Sequence, residues 1–350
     1  MRHTALVILS LAMGCTPVSN SRARGDQAPA TSPAVSPPPG APRLGLPVDC
    51  KIGVTCELQN SVDRDPGPGA KDYRCGHQTY DTHSGVDIRL PDLRAQRTGV
   101  SVLAAAGGRV SRLRDGVPDL SVKDVGASSV AGQECGNGVV IDHGQGWETQ
   151  YCHLAMGSLR VKIGDSVVAG QPIAQVGLSG NTEYPHLHLT VRAGATVIDP
   201  FAPVPGPCNS KAALSEGLWD QATARMLMHR RGVVLNSGFA AAPISAEELE
   251  TGGYRPPNAA SQALVAFVRA INLEAGDVQT LALLDASGQV LAQRGLPPLD
   301  RAKAQYIMYV GKRSPQGWKR GEYSAIYTVK RRGVVVLQKS FSIQLGAPKK

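Results

Sequence analysis

Two histidines separated by one residue, His186 and His188, have types and spacing that suit metal chemistry. In a β-strand, side chains two residues apart share a face and lie about 7 Å from each other, so both imidazoles would point the same way. The leucines and valine between and after them suit the opposite, buried face. His83 and Asp87, well upstream, add a third imidazole and a carboxylate. Nitrogen and oxygen donors of this kind form zinc sites, and a catalytic zinc keeps one position open for water.

Short strands separated by glycine-rich turns are predicted to carry these residues between Cys50 and about Pro203. The stretch shows almost no helical periodicity, and many short strands at regular spacing are typical of an all-β sandwich or barrel-like core. The predicted strands are Val86–Leu90, Val100–Ala105, Arg109–Leu113, Gly138–Asp142, Trp147–His153, Val161–Ile163, Ile173–Val176 and His186–Arg192. The polar stretch from Arg114 to Glu134 carries no strand signal and is predicted to be a long surface loop.

A change in composition near Asn209 predicts a second β domain, sandwich-like, behind a helical connector at Ala213–Arg230. Its predicted strands are Leu264–Asn272, Thr280–Asp285, Gln289–Gln293, Tyr306–Val310, Glu322–Lys330 and Val334–Gln344. The expected fold class is therefore mainly β, with a compact antiparallel sheet or barrel-sandwich followed by a second β-sandwich-like domain. The expected domains are a signal segment at 1–15, a tether at 16–49, a first domain at 50–205, a connector at 206–232 and a basic domain at 233–350.

The first fifteen residues have the pattern of an export signal. A short basic start precedes an apolar run, Thr4 to Met13, that is too short to span a bilayer. The run ends in Gly14-Cys15, as bacterial lipoprotein cleavage sites do, so a lipid on Cys15 is predicted to anchor the chain to a membrane; ordinary signal cleavage is the alternative. Residues 16–49 are rich in Pro, Ala and Ser and are predicted to be an extended tether. The expected location is the periplasm or cell envelope.

The cysteine count favours disulfides. The chain has seven cysteines, and six remain if Cys15 carries a lipid, an even number that suits an exported protein. Cys135 and Cys152 would meet at the open end of a hairpin whose turn is His143–Gly146, which predicts a disulfide between them. A structural metal site is disfavoured because no Cys-x-x-Cys pair occurs.

The formal net charge of +9 is concentrated in the C-terminal part of the chain. Residues 206–350 hold 19 Lys or Arg against 10 Asp or Glu, while the remainder is neutral. Such an imbalance favours a polyanionic neighbour such as a cell-wall polymer or an anionic lipid, with a solvated basic surface as the plain alternative. Nucleic acid is not expected as a partner of an exported chain.

Taken together, the motifs resemble the lysostaphin/LytM-type family of zinc metallopeptidases, which has a duplicated-hybrid-motif-like fold. The residues that carry the resemblance are His83-x-x-x-Asp87, His153 in Tyr-Cys-His-Leu, and His186-Leu187-His188. Segments 102–110, 177–180 and 199–200 resemble further family segments, and the likeness spans about residues 69–203.

The resemblance implies a role for each residue. His83, Asp87 and His188 would hold Zn²⁺, while His153 and His186 would stay off the metal and act as catalytic residues. Spacing alone leaves open which histidine of the pair is the ligand. An imidazole with a pKa near 6.5 suits the removal of a proton from water. Tyr80 is a further candidate donor to the oxyanion.

The expected function is therefore an exported zinc metalloendopeptidase that hydrolyses peptide bonds in peptidoglycan crosslinks, with peptidoglycan as its partner. The alternatives are a non-catalytic LytM-like activator of another cell-wall hydrolase and a zinc peptidase that acts on a protein substrate. The segment Val161–Ile173 is also similar to part of biotinyl carrier domains, but the hairpin with a modified lysine is absent. Residues 181–185 lengthen the approach to the histidine pair relative to the family, and so the shape of the groove is expected to differ.

Overall fold

The structure, a computed structural model, describes residues 38–204, 206, 208–209, 217–228 and 230–346. The predicted signal segment, Cys15 and most of the tether lie outside these residues, as does part of the connector. All described residues belong to one compact unit, Ser36–Lys350. The predicted domain boundaries within it stay a prediction.

The described part is built mainly from strands, which confirms the predicted fold class. The strands are β1 Glu57–Asn60, β2 Val86–Arg89, β3 Ser101–Leu103, β4 Gly108–Arg114, β5 Asn137–Gly144, β6 Trp147–Leu154, β7 Ser166–Val167, β8 Pro172–Gln175, β9 His186–Ala193, β10 Thr196–Ile198, β11 Val233–Ala240, β12 Ala263–Leu273, β13 Val278–Leu284, β14 Val290–Gly295, β15 Lys303–Arg313, β16 Gly321–Arg331 and β17 Val334–Leu345. The helices are α1 Leu93–Arg97, α2 Val122–Val125, α3 Gln221–Met226 and α4 Ala246–Thr251, with a 3₁₀ turn at Ala127–Val130.

The N-terminal half is organised around one antiparallel sheet with the order β1-β2-β9-β6-β5-β4-β7, and β10 pairs with the edge of β9. Alternation along β9 determines its two faces: Leu187, Leu189 and Val191 are almost fully buried in the hydrophobic core. Burial of apolar surface stabilises the fold by about 25 cal/mol per Å². It fixes the register of this strand, because a shift of one residue would bury the histidine face instead. The histidines therefore share the opposite face.

The C-terminal half contains two further antiparallel sheets, one with the order β11-β12-β15 and one with the order β14-β13-β16-β17. A second core lies between them. Alternate residues of β16, among them Tyr323, Ala325 and Tyr327, are buried there, as expected for a strand with one face in a sandwich.

Three disulfides join cysteines of the described residues: Cys50–Cys56, Cys75–Cys208 and the predicted Cys135–Cys152. Among the residues described, none of the helices has the length and apolar character needed to cross a membrane.

Several local predictions differ from the structure. Val161–Ile163 is not a strand, because it leads into the turn at Gly164 and leaves Ile163 63% exposed. The predicted loop 114–134 contains α2 and the 3₁₀ turn, and within the described part of the connector the helix is limited to α3. Strands β1, β7, β10 and β11 were not predicted from the sequence.

Candidate metal centre

Three adjacent strands bring the candidate residues together. Asp87 of β2 lies directly opposite His188 of the neighbouring β9 in the antiparallel ladder, and on the other side of β9 His188 lies opposite Cys152 of β6. His153 follows Cys152 at the end of β6, and His83 comes from the turn just before β2. Sheet order thus assembles residues that are up to 105 positions apart in the sequence.

Three donor atoms converge at the centre of this group. His83 Nε2 lies 3.1 Å from Asp87 Oδ1, His188 Nδ1 lies 2.9 Å from the same oxygen, and the two nitrogens are 3.2 Å apart. A tetrahedral zinc ion with ligands at about 2 Å separates its donors by about 3.3 Å. His83, Asp87 and His188 could therefore hold a metal ion with little change in position, and they form a group whose ligand atoms lie within 4.8 Å of one another.

The second polar atom of each of these three side chains has a hydrogen-bond partner in the protein. His83 Nδ1 lies 2.6 Å from the carbonyl oxygen of Ser61, and His188 Nε2 lies 3.0 Å from Thr190 Oγ1. Asp87 Oδ2 accepts a hydrogen bond of 2.8 Å from Asn60. A carbonyl oxygen only accepts, so Nδ1 of His83 carries a proton and Nε2 is the nitrogen that faces the possible metal position. Outer partners of this kind orient metal ligands and fix their tautomers.

His153 and His186 lie beside this group, with ring centroids 4.6 Å apart. His186 Nε2 is 3.5 Å from Asp87 Oδ1, farther than His188 Nδ1, which is 2.9 Å from the same oxygen. His153 Nδ1 lies 2.8 Å from the carbonyl oxygen of Ser179, and His186 Nδ1 lies 3.0 Å from that of Tyr184. By the same argument both rings carry their proton on Nδ1 and present an unprotonated Nε2.

The backbone of His153 explains how this ring reaches the site. Its φ is 60°, in the left-handed region that non-glycine residues seldom adopt. The strand pairing is irregular here, since Asn137 opposes Leu154 while Val139 opposes Tyr151. A bulge of this kind re-aims a side chain, and the amide of His153 is held by the carbonyl oxygen of Cys135 at 2.8 Å.

Burial and mutual repulsion set the charge states of the ring pair. The pKa of His153 lies well below its ordinary value because of burial and then because of His186 and His188. Burial likewise lowers the pKa of His186, although Asp87 opposes this. Both rings are therefore neutral at neutral pH.

Asp87 is the charged member of the group. Burial alone would raise its pKa, but the surrounding histidines, His83 first, outweigh burial and hold the pKa well below the usual value. Burial lowers the pKa of His83, and the adjacent Asp87 more than compensates, so that this pKa is raised. A carboxylate surrounded by imidazoles is an electrostatic arrangement that suits a cation.

Two cavities border the site, and Tyr80 lines both. One, of about 400 Å³, lies over His83, His153 and His188. The other, of about 580 Å³, extends past Tyr184 to α4 and β15 of the C-terminal half. The ring of Tyr80 is half exposed and lies 4.4 Å from that of His83.

The hydrogen-bond partners of the candidate ligands and of the two imidazoles were not predicted from the sequence. Thr190 could have been found, because it lies two residues after His188 on the same strand face. Asn60, Ser61 and Ser179 gave no usable signal, since two of them contribute a backbone carbonyl and all three reach the site only through the order of the strands.

Comparison with known proteins supports the resemblance noted from the motifs. Residues 81–200 match the model of Peptidase family M23. The chain is 31% identical over 126 residues to the cell division protein DipM of Caulobacter vibrioides, a match that covers 36% of this chain and 17% of that protein. It is 39% identical over 89 residues to an uncharacterized metalloprotease of Buchnera aphidicola, covering 24% of this chain and 22% of the relative. The chain thus spans about a fifth of the length of these curated relatives.

Among solved structures, the catalytic domain of a mutant of the prophage-encoded M23 protein EnpA from Enterococcus faecalis is 22% identical, covers 43% of this chain and 92% of its own, and gives a TM-score of 0.30. The catalytic domain of lysostaphin from Staphylococcus simulans is 21% identical, covers 40% of this chain and 85% of its own, and gives a TM-score of 0.26. The family match confirms that the likeness to lysostaphin/LytM-type metallopeptidases lies in the N-terminal half.

Proposed function

We propose that this protein is an exported zinc metalloendopeptidase that hydrolyses peptide bonds in peptidoglycan crosslinks. The observation that carries the proposal is the convergence of three possible ligand atoms, from His83, Asp87 and His188, beside two neutral imidazoles. We assign the first three residues to the zinc and His153 and His186 to the chemistry. When bound, zinc would lower the pKa of a water to about 7 and polarise the scissile carbonyl group.

The two imidazoles are prepared to move a proton. His153 donates a hydrogen bond from Nδ1 to the carbonyl oxygen of Ser179. Its Nε2 can therefore accept the proton of the attacking water. His186 presents a second bare Nε2 in the same space, and the proton passes from this pair to the leaving amine. Tyr80, at the rim, is in a position to donate a hydrogen bond to the oxygen that becomes negative.

Three features support an envelope substrate. The described residues contain three disulfides, which form in oxidising compartments. One relative is a cell division protein, which fits a role at the cell wall. The predicted signal segment and a lipid on Cys15 would hold the chain at the membrane, and the basic part beyond residue 206 would contact anionic wall polymer.

Mass spectrometry of muropeptides released from purified sacculi by the zinc-loaded protein tests the proposal. Release of peptides cut at a crosslink is expected for the wild type. His188→Ala should lose both zinc and activity, and His153→Ala should lose activity while zinc remains bound. His77→Ala, which alters an exposed histidine, is the matched control and should behave as the wild type.

The alternatives give different results in the same assay. Exported proteins digested in place of sacculi would indicate a protein substrate. Inactive wild-type protein whose His188→Ala variant still stimulates another hydrolase would indicate a non-catalytic activator. Absence of zinc binding by the wild type would refute the metallopeptidase assignment itself.

The predicted anchor has a separate test. Cell fractionation should find the wild type with membranes and Cys15→Ser in the soluble fraction. Equal membrane association of both proteins would show that Cys15 carries no anchor.

A further inference from the structure

A buried arginine, Arg89, lies two residues along β2 from the candidate metal ligand Asp87. Arg89 follows Asp87 by two residues on β2, so both side chains share one face of the sheet, and it pairs with His186 in the ladder. Its side chain is only 2% exposed. The guanidinium donates to Gln59 Oε1 at 2.9 Å and lies over the ring of Tyr184, 3.9 Å from its centroid. Because a buried guanidinium stays charged, it requires a partner of opposite charge.

That partner comes from the C-terminal half. Glu250, in the last turn of α4, accepts a hydrogen bond of 2.9 Å from Arg89 and a second from Arg269 of β12. Arg269 is also buried, and it donates to the carbonyl oxygen of Pro91 just beyond β2. One carboxylate therefore separates two buried guanidinium groups at the boundary between the halves.

The contacts of Arg89 extend to the residues of the metal centre. Gln59, which accepts from Arg89, directly precedes Asn60 on β1, and the amide of Asn60 donates to Asp87 Oδ2 at 2.8 Å. The carbonyl oxygen of Tyr184 also receives the Nδ1 proton of His186. A displacement of Arg89 would therefore disturb the carboxylate that faces the metal through Gln59 and Asn60, and an imidazole beside it through Tyr184.

We propose that Glu250 is a positioning residue for the metal centre, through which the C-terminal half sets the zinc affinity of the N-terminal half. The inference rests on the metal site assigned above but does not depend on which bond is hydrolysed. The carboxylate holds Arg89 against Tyr184, and Arg89 in turn holds β1 through Gln59 and the segment of Tyr184 next to His186.

Removal of the Glu250 charge has a defined physical consequence. Two buried guanidiniums would then face each other without a counter-ion, and an uncompensated buried charge forces its group to move toward water. The nearest open space is the cavity of about 580 Å³ that Arg89, Tyr184 and Glu250 line. Arg89 would leave the ring of Tyr184, and the outer support of Asp87 would loosen.

The test is the zinc affinity of the full chain, measured without substrate by competition with a fluorescent chelator. Changes to outer partners of metal ligands commonly weaken binding about 10- to 100-fold, and Glu250→Gln is expected to fall in that range. Glu250→Gln combined with Arg269→Met removes the repulsion as well, so thermal stability should recover while zinc affinity stays low, because Arg89 still lacks its anchor.

A matched control uses another contact between the halves. Asn272→Gly removes a hydrogen bond of 3.2 Å to the carbonyl oxygen of Leu58, and glycine tolerates the φ of 58° at this position. Zinc affinity within about twofold of wild type is expected for this variant. The proposal is overturned if folded Glu250→Gln binds zinc as the wild type does and only its melting temperature falls. A wild type that binds zinc but releases no muropeptide would instead count against the proposed reaction alone.

Discussion

Loss of the disulfide between Cys135 and Cys152 should affect catalysis more than zinc binding. Cys152 immediately precedes His153, and the carbonyl oxygen of Cys135 holds the amide of that histidine at 2.8 Å. The bond therefore ties the end of the long 114–134 segment to the bulge that aims His153 into the site. The metal candidates lie on β2, on β9 and just before β2, outside this loop.

The expected magnitude follows from the length of the closed loop. The two cysteines are separated by 17 residues, and chain entropy assigns such a loop about 3 kcal/mol of stability at 25 °C. His153 in its left-handed backbone conformation stores about 1 to 2 kcal/mol of strain. Without the disulfide this strain can relax, so that the ring leaves its catalytic position for part of the time.

The double variant Cys135→Ala, Cys152→Ala should unfold in urea with about 3 kcal/mol less free energy than the wild type. Its kcat on peptidoglycan should fall at least about tenfold, which corresponds to 1.4 kcal/mol of lost positioning. Zinc affinity should stay within about twofold.

Removal of the disulfide between Cys50 and Cys56, which closes only 6 residues and does not contact the site, is the control. It should cost about 2 kcal/mol in stability and leave kcat unchanged. The reasoning fails if both double variants have the same kcat as the wild type, since His153 would then hold its position without the bond to Cys135. It also fails if zinc affinity falls together with kcat.

Two further predictions concern buried polar groups. Burial raises the pKa of Asp199 to about 7, so its contribution to stability is present below about pH 4 and is lost as the pH rises through about 7. Between pH 5 and pH 8, the unfolding free energy of the wild type should therefore fall by about 3 kcal/mol more than that of Asp199→Asn. If unfolding in urea gives both proteins the same dependence of this free energy on pH, the prediction is wrong. Thr190→Val should weaken zinc binding at least about tenfold, because His188 Nε2 loses its hydrogen-bond partner. Thr190→Ser keeps the hydroxyl group and should bind zinc as the wild type does. Equal zinc affinities of the two variants would show that the hydroxyl group is not needed.

Much of the local structure could be predicted from alternation of side chains. The pattern of β9 placed His186 and His188 on one face and the leucines on the other, and the structure has that arrangement. The prediction of a strand at Val161–Ile163 was wrong, because a short apolar run next to a Gly-Asp turn has the same composition as a loop that only contacts the core.

The sequence by itself determined which side chains could do chemistry, because residue types and a period of two along a strand are local properties. It also favoured the Cys135–Cys152 pair, since a hairpin relates residues on either side of its turn. Only the tertiary structure decided what surrounds these groups. Asn60 reaches Asp87 from β1 because of the order of the strands, and Glu250 reaches Arg89 from α4 because of the packing of the two halves. Such neighbours depend on contacts between distant segments, and no periodicity in the chain encodes them.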